Sequence, residues 1–215
     1  MNQESTLREE IARIGKSLFE RGYTAGTAGN ISARLEDGWL ITPTDACLGA
    51  LDPARIAKVS AAGEWVSGDK PSKTLALHRA VYDHQPDMHA VLHTHSTHLV
   101  ALTLAGVWSE NDVLPPITPY YVMKVGHVPL IAYRRPGDPQ VAERVRELAG
   151  SVRGVLLERL GPVVWHRSLR DASATLEELE ETARLFLMMQ AQRKQIEPLD
   201  ARQIDELKTT FGARW

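Results

Sequence analysis

AVLHTHSTH, residues Ala90–His98, is an apolar run that ends in three histidines. His93 and His95 stand two apart, so on an extended chain their side chains point to the same side. A strand offers two imidazoles to one cation in this way, and it also places two core histidines side by side. THLVALTLAG (Thr97–Gly106) follows with the composition of a short helix, so the segment reads as strand, loop and helix. His98 falls inside that helix, where it packs or caps rather than ligates.

Outward from this strand the chain alternates helices with paired strands. Thr6 and Glu9 make a capping-box pattern ahead of Leu7, Ile11, Ile14 and Leu18, and Gly22 marks the end of that helix. ISARLEDGWLITPT (Ile31–Thr44) predicts a hairpin turning at Asp37-Gly38, and IAKVSAAGEWVSG (Ile56–Gly68) predicts a second. Ser72 caps a helix with Leu75, His78, Val81 and Tyr82 on one side, ending before Pro86. Downstream, VPLIAY (Val128–Tyr133) reads as a strand and QVAERVREL (Gln140–Leu148) as a helix. RGVLLERLGPVVWH (Arg153–His166) gives one or two strands broken at Gly161-Pro162. A long helix with Leu176, Leu179, Ala183, Phe186 and Leu187 inward runs to about Gln195, and Asp200–Phe211 forms one more. The pattern predicts one α/β domain over residues 1–215, with a largely antiparallel or mixed sheet between helix layers.

Composition narrows the class. The 215 residues are 43% hydrophobic and 24% charged, with a formal net charge of −2. Without a basic excess or basic runs, neither nucleic acid nor an anionic membrane is expected as a partner. One cysteine, Cys47, excludes a disulfide framework within the chain and suits a reducing compartment. The polar start MNQESTLREE and the lack of a long apolar run predict a soluble cytoplasmic protein.

Three further features bear on chemistry. Gly29-Asn30, Thr42-Pro43-Thr44 and Pro71-Ser72-Lys73 are small polar loops. They suit an anion, with Ser72 at a helix start and Lys73 adding charge, or ordinary turn and capping duties. PPITPYYVMKVGH (Pro115–His127) holds two tyrosines, which serve either as a proton donor to carbon or as packing. RRPGD (Arg134–Asp138) reads only as a turn.

Taken in order, TAGNIS, ITPT, KPSK, HTHS, TPYYVM and the ELEETA helix resemble the class II aldolase/adducin family from about residue 7 to residue 195. That family holds sugar-phosphate aldolases, epimerases and dehydratases, and the non-enzymatic head domains of adducin. SGDKPSK, ITPYYVMKVGHVPLIAYRRPGD and TLEELEETA look most like its branch acting on 3-oxo-tetronate 4-phosphates, by decarboxylation to dihydroxyacetone phosphate and CO2. The resemblance implies a three-layer α/β fold and a homotetramer with active sites between subunits. It also implies a divalent metal, zinc first and manganese or magnesium after it. By motif, Asn30, Thr44, Ser72 and Lys73 fall where the family holds substrate phosphate, His93 and His95 fall on metal ligands, and Tyr120 falls on a proton donor to a neighbouring subunit. The alternatives it carries are another sugar-phosphate aldolase, epimerase or dehydratase, or an inactive adducin-like assembly module.

Three departures fall on that implied site. Thr74 stands where the family has an acidic residue, Leu160 where a third histidine ligand is expected, and Asp45 where a glycine often follows Thr44. A positioned base is essential to reactions that begin by pulling a proton. A β-keto acid loses CO2 without one, so Thr74 fits a decarboxylase better than an aldolase or epimerase.

Overall fold

The computed structural model describes residues 2–193 and 195–215. Strands β1 (Asn30–Leu35) and β2 (Gly38–Ile41) form the first hairpin, and β3 (Ala57–Ser60) and β4 (Trp65–Ser67) the second. The histidine strand is β5 (Ala90–His93), followed by the short β6 (Leu130–Ile131) and the hairpin of β7 (Gly154–Leu157) and β8 (Gly161–His166). All eight join one sheet in the order β4-β3-β2-β1-β5-β8-β7-β6. Only β6 with β7 is parallel, so the sheet is mixed and mostly antiparallel, as expected.

Helices cover both faces. Ile31, Ala33, Ala90, Leu92 and Val164 face α1 (Gln3–Glu20), α3 (Thr97–Ala105) and α5 (Leu169–Ala191). Ile41, Val59, Val91, Val163 and Trp165 face α2 (Leu75–His84) and α4 (Pro139–Leu148). The result is the three-layer α/β architecture that the resemblance implies. With both faces covered, β5 is buried at every position, which is why AVLH is a run of consecutive buried residues without a polar alternation. A last helix, α6 (Ala201–Phe211), opens with a capping box between Asp200 and Gln203. No described helix is long and apolar enough to cross a membrane.

Local details differ from expectation where two registers fit one pattern. Asn2, not Thr6, caps α1, its Oδ1 accepting from the Ser5 N–H at 2.8 Å, and Thr6 is already helical. The first hairpin turns at Glu36-Asp37, with Gly38 as the first residue of β2. Gly38 has φ 155°, and a Cβ there would stand 2.0 Å from the Val59 carbonyl oxygen, so close approach of β3 requires the glycine. The VPLIAY strand shrinks to Leu130–Ile131, and α5 stops at Ala191, short of Gln195. His98 packs in the first turn of α3, where it is itself capped from α5. Glu180 of α5 accepts from the N–H groups of His98 (2.8 Å) and Leu99 (3.0 Å) and from His98 Nδ1 (2.8 Å), a buried carboxylate at the positive end of α3.

Gly161 opens β8 with φ 124°, and a Cβ there would lie 2.2 Å from the Thr94 carbonyl oxygen. Gly161→Ala is expected to lower unfolding free energy by about 3 kcal/mol or more. Gly106→Ala is the control, with φ 107° but no atom of the described residues within 4 Å, and should cost only about 1–2 kcal/mol. Urea denaturation of the two variants checks this, and equal losses would contradict it.

Candidate active site

His93 closes β5, and its ring is held by the chain beside it. Nδ1 lies 2.8 Å from the carbonyl oxygen of Pro162. A carbonyl only accepts, so Nδ1 carries the hydrogen and Nε2 keeps its lone pair. Burial first, and His95 second, push the His93 pKa down to about 4, so the ring is neutral near pH 7. His95 sits one residue beyond Thr94, edge-on to His93 with ring centroids 5.0 Å apart, and partial burial lowers its pKa too. The pair that the sequence singles out is two adjacent neutral imidazoles.

Position 160, where a third nitrogen is expected, carries a leucine. Residues Glu158–Leu160 turn β7 into β8, and Leu160 lines the same cavity as His93 while packing on the apolar core beneath α2 and α4. Glu158 shares that cavity, but its Oε2 accepts from the Tyr133 N–H at 2.8 Å. His98 is held by Glu180, and His127 pairs with Asp112 and stacks on Trp215 at 4.2 Å. Among the described residues, no three His, Cys, Asp or Glu side chains come together to hold one ion. The donors present that could hold a divalent cation are the His93 and His95 imidazoles, one fewer than the three protein ligands usual at a catalytic zinc.

The small polar loops do meet. Thr44 N–H donates to the Lys70 carbonyl (2.9 Å), Ser72 N–H donates to the Thr42 carbonyl (3.2 Å), and Pro43 bridges Pro71. Thr42 itself is structural, its buried Oγ1 accepting from the Ile31 N–H at 3.2 Å. Regular α2 begins at Leu75 with Thr74 at the cap position, so Ser72, the expected cap, lies two residues ahead of it. The Ser72 hydroxyl lies 2.9 Å from that of Thr74. Asp45 has φ 56°, which explains a glycine preference there, and aspartate is among the few residues that tolerate it. Its carboxylate stands 3.8 Å from Lys73 Nζ, both exposed, a contact of little energy.

Lys73, Thr74, His93 and Leu160 therefore share one cavity of about 140 Å³, while Thr44 and Asp45 line the neighbouring hollow. Asn30 is the direct cross-strand partner of His93, but it is buried and, like Ser72 and His95, lines neither hollow. Tyr120 stands apart: it is 61% exposed, at the start of a short π-helical turn (Tyr121–Val125), and lines neither hollow. Tyr121 is buried against Trp215, with ring centroids 5.6 Å apart.

Two groups of residues escape a sequence reading. Arg134 and Arg135, in the segment read only as a turn, line the His93 cavity with Lys73. Their only sequence signal is a pair of cations next to a Pro-Gly turn. The second group is a buried polar line behind the site. Tyr82 OH and Ser32 Oγ are 2.7 Å apart, Ser32 Oγ and His78 Nδ1 2.7 Å, and His78 Nε2 and Asn30 Oδ1 2.5 Å. Burial, and then His93, push the His78 pKa down to about 3.

A chain with this fold and these residues belongs to the family of the class II aldolase and adducin N-terminal domain, whose model matches residues 9–187. Members of that family usually use a divalent metal. Among curated proteins it is 67% identical to the 3-oxo-tetronate 4-phosphate decarboxylase of Cupriavidus necator, with both chains covered in full. It is 48% identical to the protein of that name from Escherichia coli K12, over 96% of this chain and 97% of the relative. The crystal structure of YgbL from Escherichia coli matches with a TM-score of 0.91 at 47% identity, covering 96% of this chain and all of that one. L-fuculose 1-phosphate aldolase, 22% identical with a TM-score of 0.83, shares the fold.

His78 and His93 are neutral in the folded protein down to about pH 3 and about pH 4, whereas unfolded histidine titrates near pH 6.5. Below pH 6.5 the unfolded chain binds the extra protons, so this stability is complete above that pH and is lost as pH falls toward the folded values. Each ring contributes about 1.4 kcal/mol per pH unit in that window. Urea unfolding between pH 7 and 4 should show the loss, with a shallower slope in His78→Gln; an unchanged slope would refute the assignment.

Proposed function

We propose that this chain is a carboxy-lyase that converts a 3-oxo-tetronate 4-phosphate to dihydroxyacetone phosphate and CO2. The observation that carries this reading is the identity of 67% over the full length to a decarboxylase of that description. The chemistry of the site agrees with it. The C1–C2 bond breaks heterolytically, CO2 departs, and the electron pair moves through C2–C3 onto the 3-oxo oxygen. A proton then returns to C2. No group has to remove a proton from carbon at the outset, so Thr74 in place of an acid is compatible with the reaction.

In this reading Asn30, Thr44, Ser72 and Lys73 hold the phosphate, and His93 and His95 hold a divalent ion. When bound, that ion supplies Lewis acidity for the charge developing on the 3-oxo oxygen. His93 Nε2 is held ready by the Pro162 carbonyl, and Lys73 with Arg134 and Arg135 brings positive charge to a dianionic head and a carboxylate. Tyr120 protonates C2 of a substrate bound by a neighbouring subunit, which suits its 61% exposure in the single chain. The chain acts as one domain over residues 1–215, in a cytoplasmic homotetramer with zinc as the first choice of metal. A second reading, an inactive assembly module, draws on Thr74 and Leu160 alone.

The test is CO2 release from the 3-oxo acid phosphate with Zn²⁺, Mn²⁺ or Mg²⁺ added in turn. Tyr120→Phe should lower kcat by about 10²–10⁴-fold, and tetramers mixed from Tyr120→Phe and His93→Ala subunits should regain activity. A folded oligomer that releases no CO2 with any of the three ions would overturn the enzyme reading.

Leu160 generates a separate expectation. Leu160→His should tighten Zn²⁺ binding by roughly tenfold or more, measured by competition with a chromophoric chelator. Unchanged affinity would mean that position 160 does not face the ion held by His93 and His95.

A further inference from the structure

We propose that Tyr82, Ser32 and His78 form a hydrogen-bond line of fixed direction that locks the Asn30 amide with its NH2 group toward the substrate, making His78 a positioning residue for phosphate recognition. The proposal rests on the reading of Asn30 as a phosphate ligand.

The line exists because two periodicities match. Asn30 and Ser32 are two apart on β1, so both point to the face beneath α2, about 6.6 Å apart along the strand. His78 and Tyr82 are four apart on α2, about 6 Å along one helix face. Packed face to face, the helix lays one polar group against each strand position. The three partners are sealed, with Ser32 and His78 at 0% exposure and Tyr82 at 2%. Sealed to this degree, none of the three is available to touch substrate.

Donor and acceptor chemistry sets the direction. Asn30 Oδ1 only accepts, so the hydrogen between it and His78 belongs to Nε2. Neutral His78 then accepts at Nδ1 from the Ser32 hydroxyl, and Ser32 oxygen accepts from the Tyr82 hydroxyl. Every hydrogen is used once. In the reverse sense the Tyr82 hydroxyl hydrogen would face no acceptor among the described residues, a loss that a sealed group does not tolerate cheaply. Rotating the Asn30 amide alone would set NH2 against the His78 N–H. The line therefore excludes the rotamer in which Asn30 turns a carbonyl oxygen toward an anion. Its Nδ2 makes no hydrogen bond among the described residues, and it is not sealed from solvent. Beside it across the strand pair lies His93.

Titrating the full-length enzyme with inorganic phosphate by calorimetry tests this. Asn30→Ala should weaken phosphate binding, His78→Leu should weaken it by a similar factor, roughly tenfold, and His78→Gln, which restores a donor to Asn30, should recover most of the loss. Nitrogen-15 spectra of the unmodified enzyme, which do not depend on any variant folding, should show His78 with its hydrogen on Nε2. Phosphate affinity unchanged in folded His78→Leu but reduced in Asn30→Ala would overturn the positioning role and leave the Asn30 reading standing. Affinity unchanged in Asn30→Ala would overturn both. A hydrogen found on Nδ1 of His78 would overturn the stated direction on its own.

Discussion

The hydrogen bond from His93 Nδ1 to the Pro162 carbonyl is the point at which scaffold and site meet. It joins the end of β5 to the start of β8, and it leaves Nε2 as the free nitrogen. The partner is a proline in a strand deep in the sheet, where a missing N–H is ordinarily a defect. Here the same residue follows Gly161, whose missing Cβ lets the Thr94 carbonyl approach. Gly161-Pro162 thus gives up a side chain and a donor so that the His93–His95 corner can lie directly on the β7–β8 turn.

That corner decides how the rest of the site is assembled. β5 has β1 on one side and β8 on the other, so Asn30 and Val163 both stand opposite His93. The second face of the cavity comes from the turn before α2, α2 itself and the segment before α4; the two segments bring Lys73, Arg134 and Arg135 to an otherwise largely apolar hollow. Cations at the rim of an apolar wall bind anions more firmly than the same cations in water, because screening is weaker there. A substrate with a phosphate at one end and a carboxylate at the other suits such a distribution.

What the sequence discloses follows from how local each signal is. The sheet hairpins, the helices and the His93–His95 pair rest on periods of two and 3.6 residues, which a short segment carries by itself. Asn30 and His93 are 63 positions apart in sequence, and no period announces that they are cross-strand partners. Arg134 and Arg135 look like a turn because they are one, and only the cavity that this turn shares with His93 singles them out. The line from Tyr82 to Asn30 is half visible: His78-x3-Tyr82 reads as one helix face, but Asn30 reads as loop, and the facing of that helix on Asn30 and Ser32 is a tertiary fact. The register errors at Thr6, Gly38 and Ser72 are of one or a few residues, where neighbouring polar residues compete for the same cap or turn.

Leu160 has a consequence beyond the ligand it displaces. A turn that carries a metal ligand is normally braced by the ion, and folding and loading then depend on one another. Here the turn between β7 and β8 is braced by a half-buried leucine packed against the apolar core and by Arg159, whose N–H donates to the Thr103 hydroxyl. The shape of that turn is thereby set by apolar packing and a hydrogen bond from the chain itself, with or without an ion beside it.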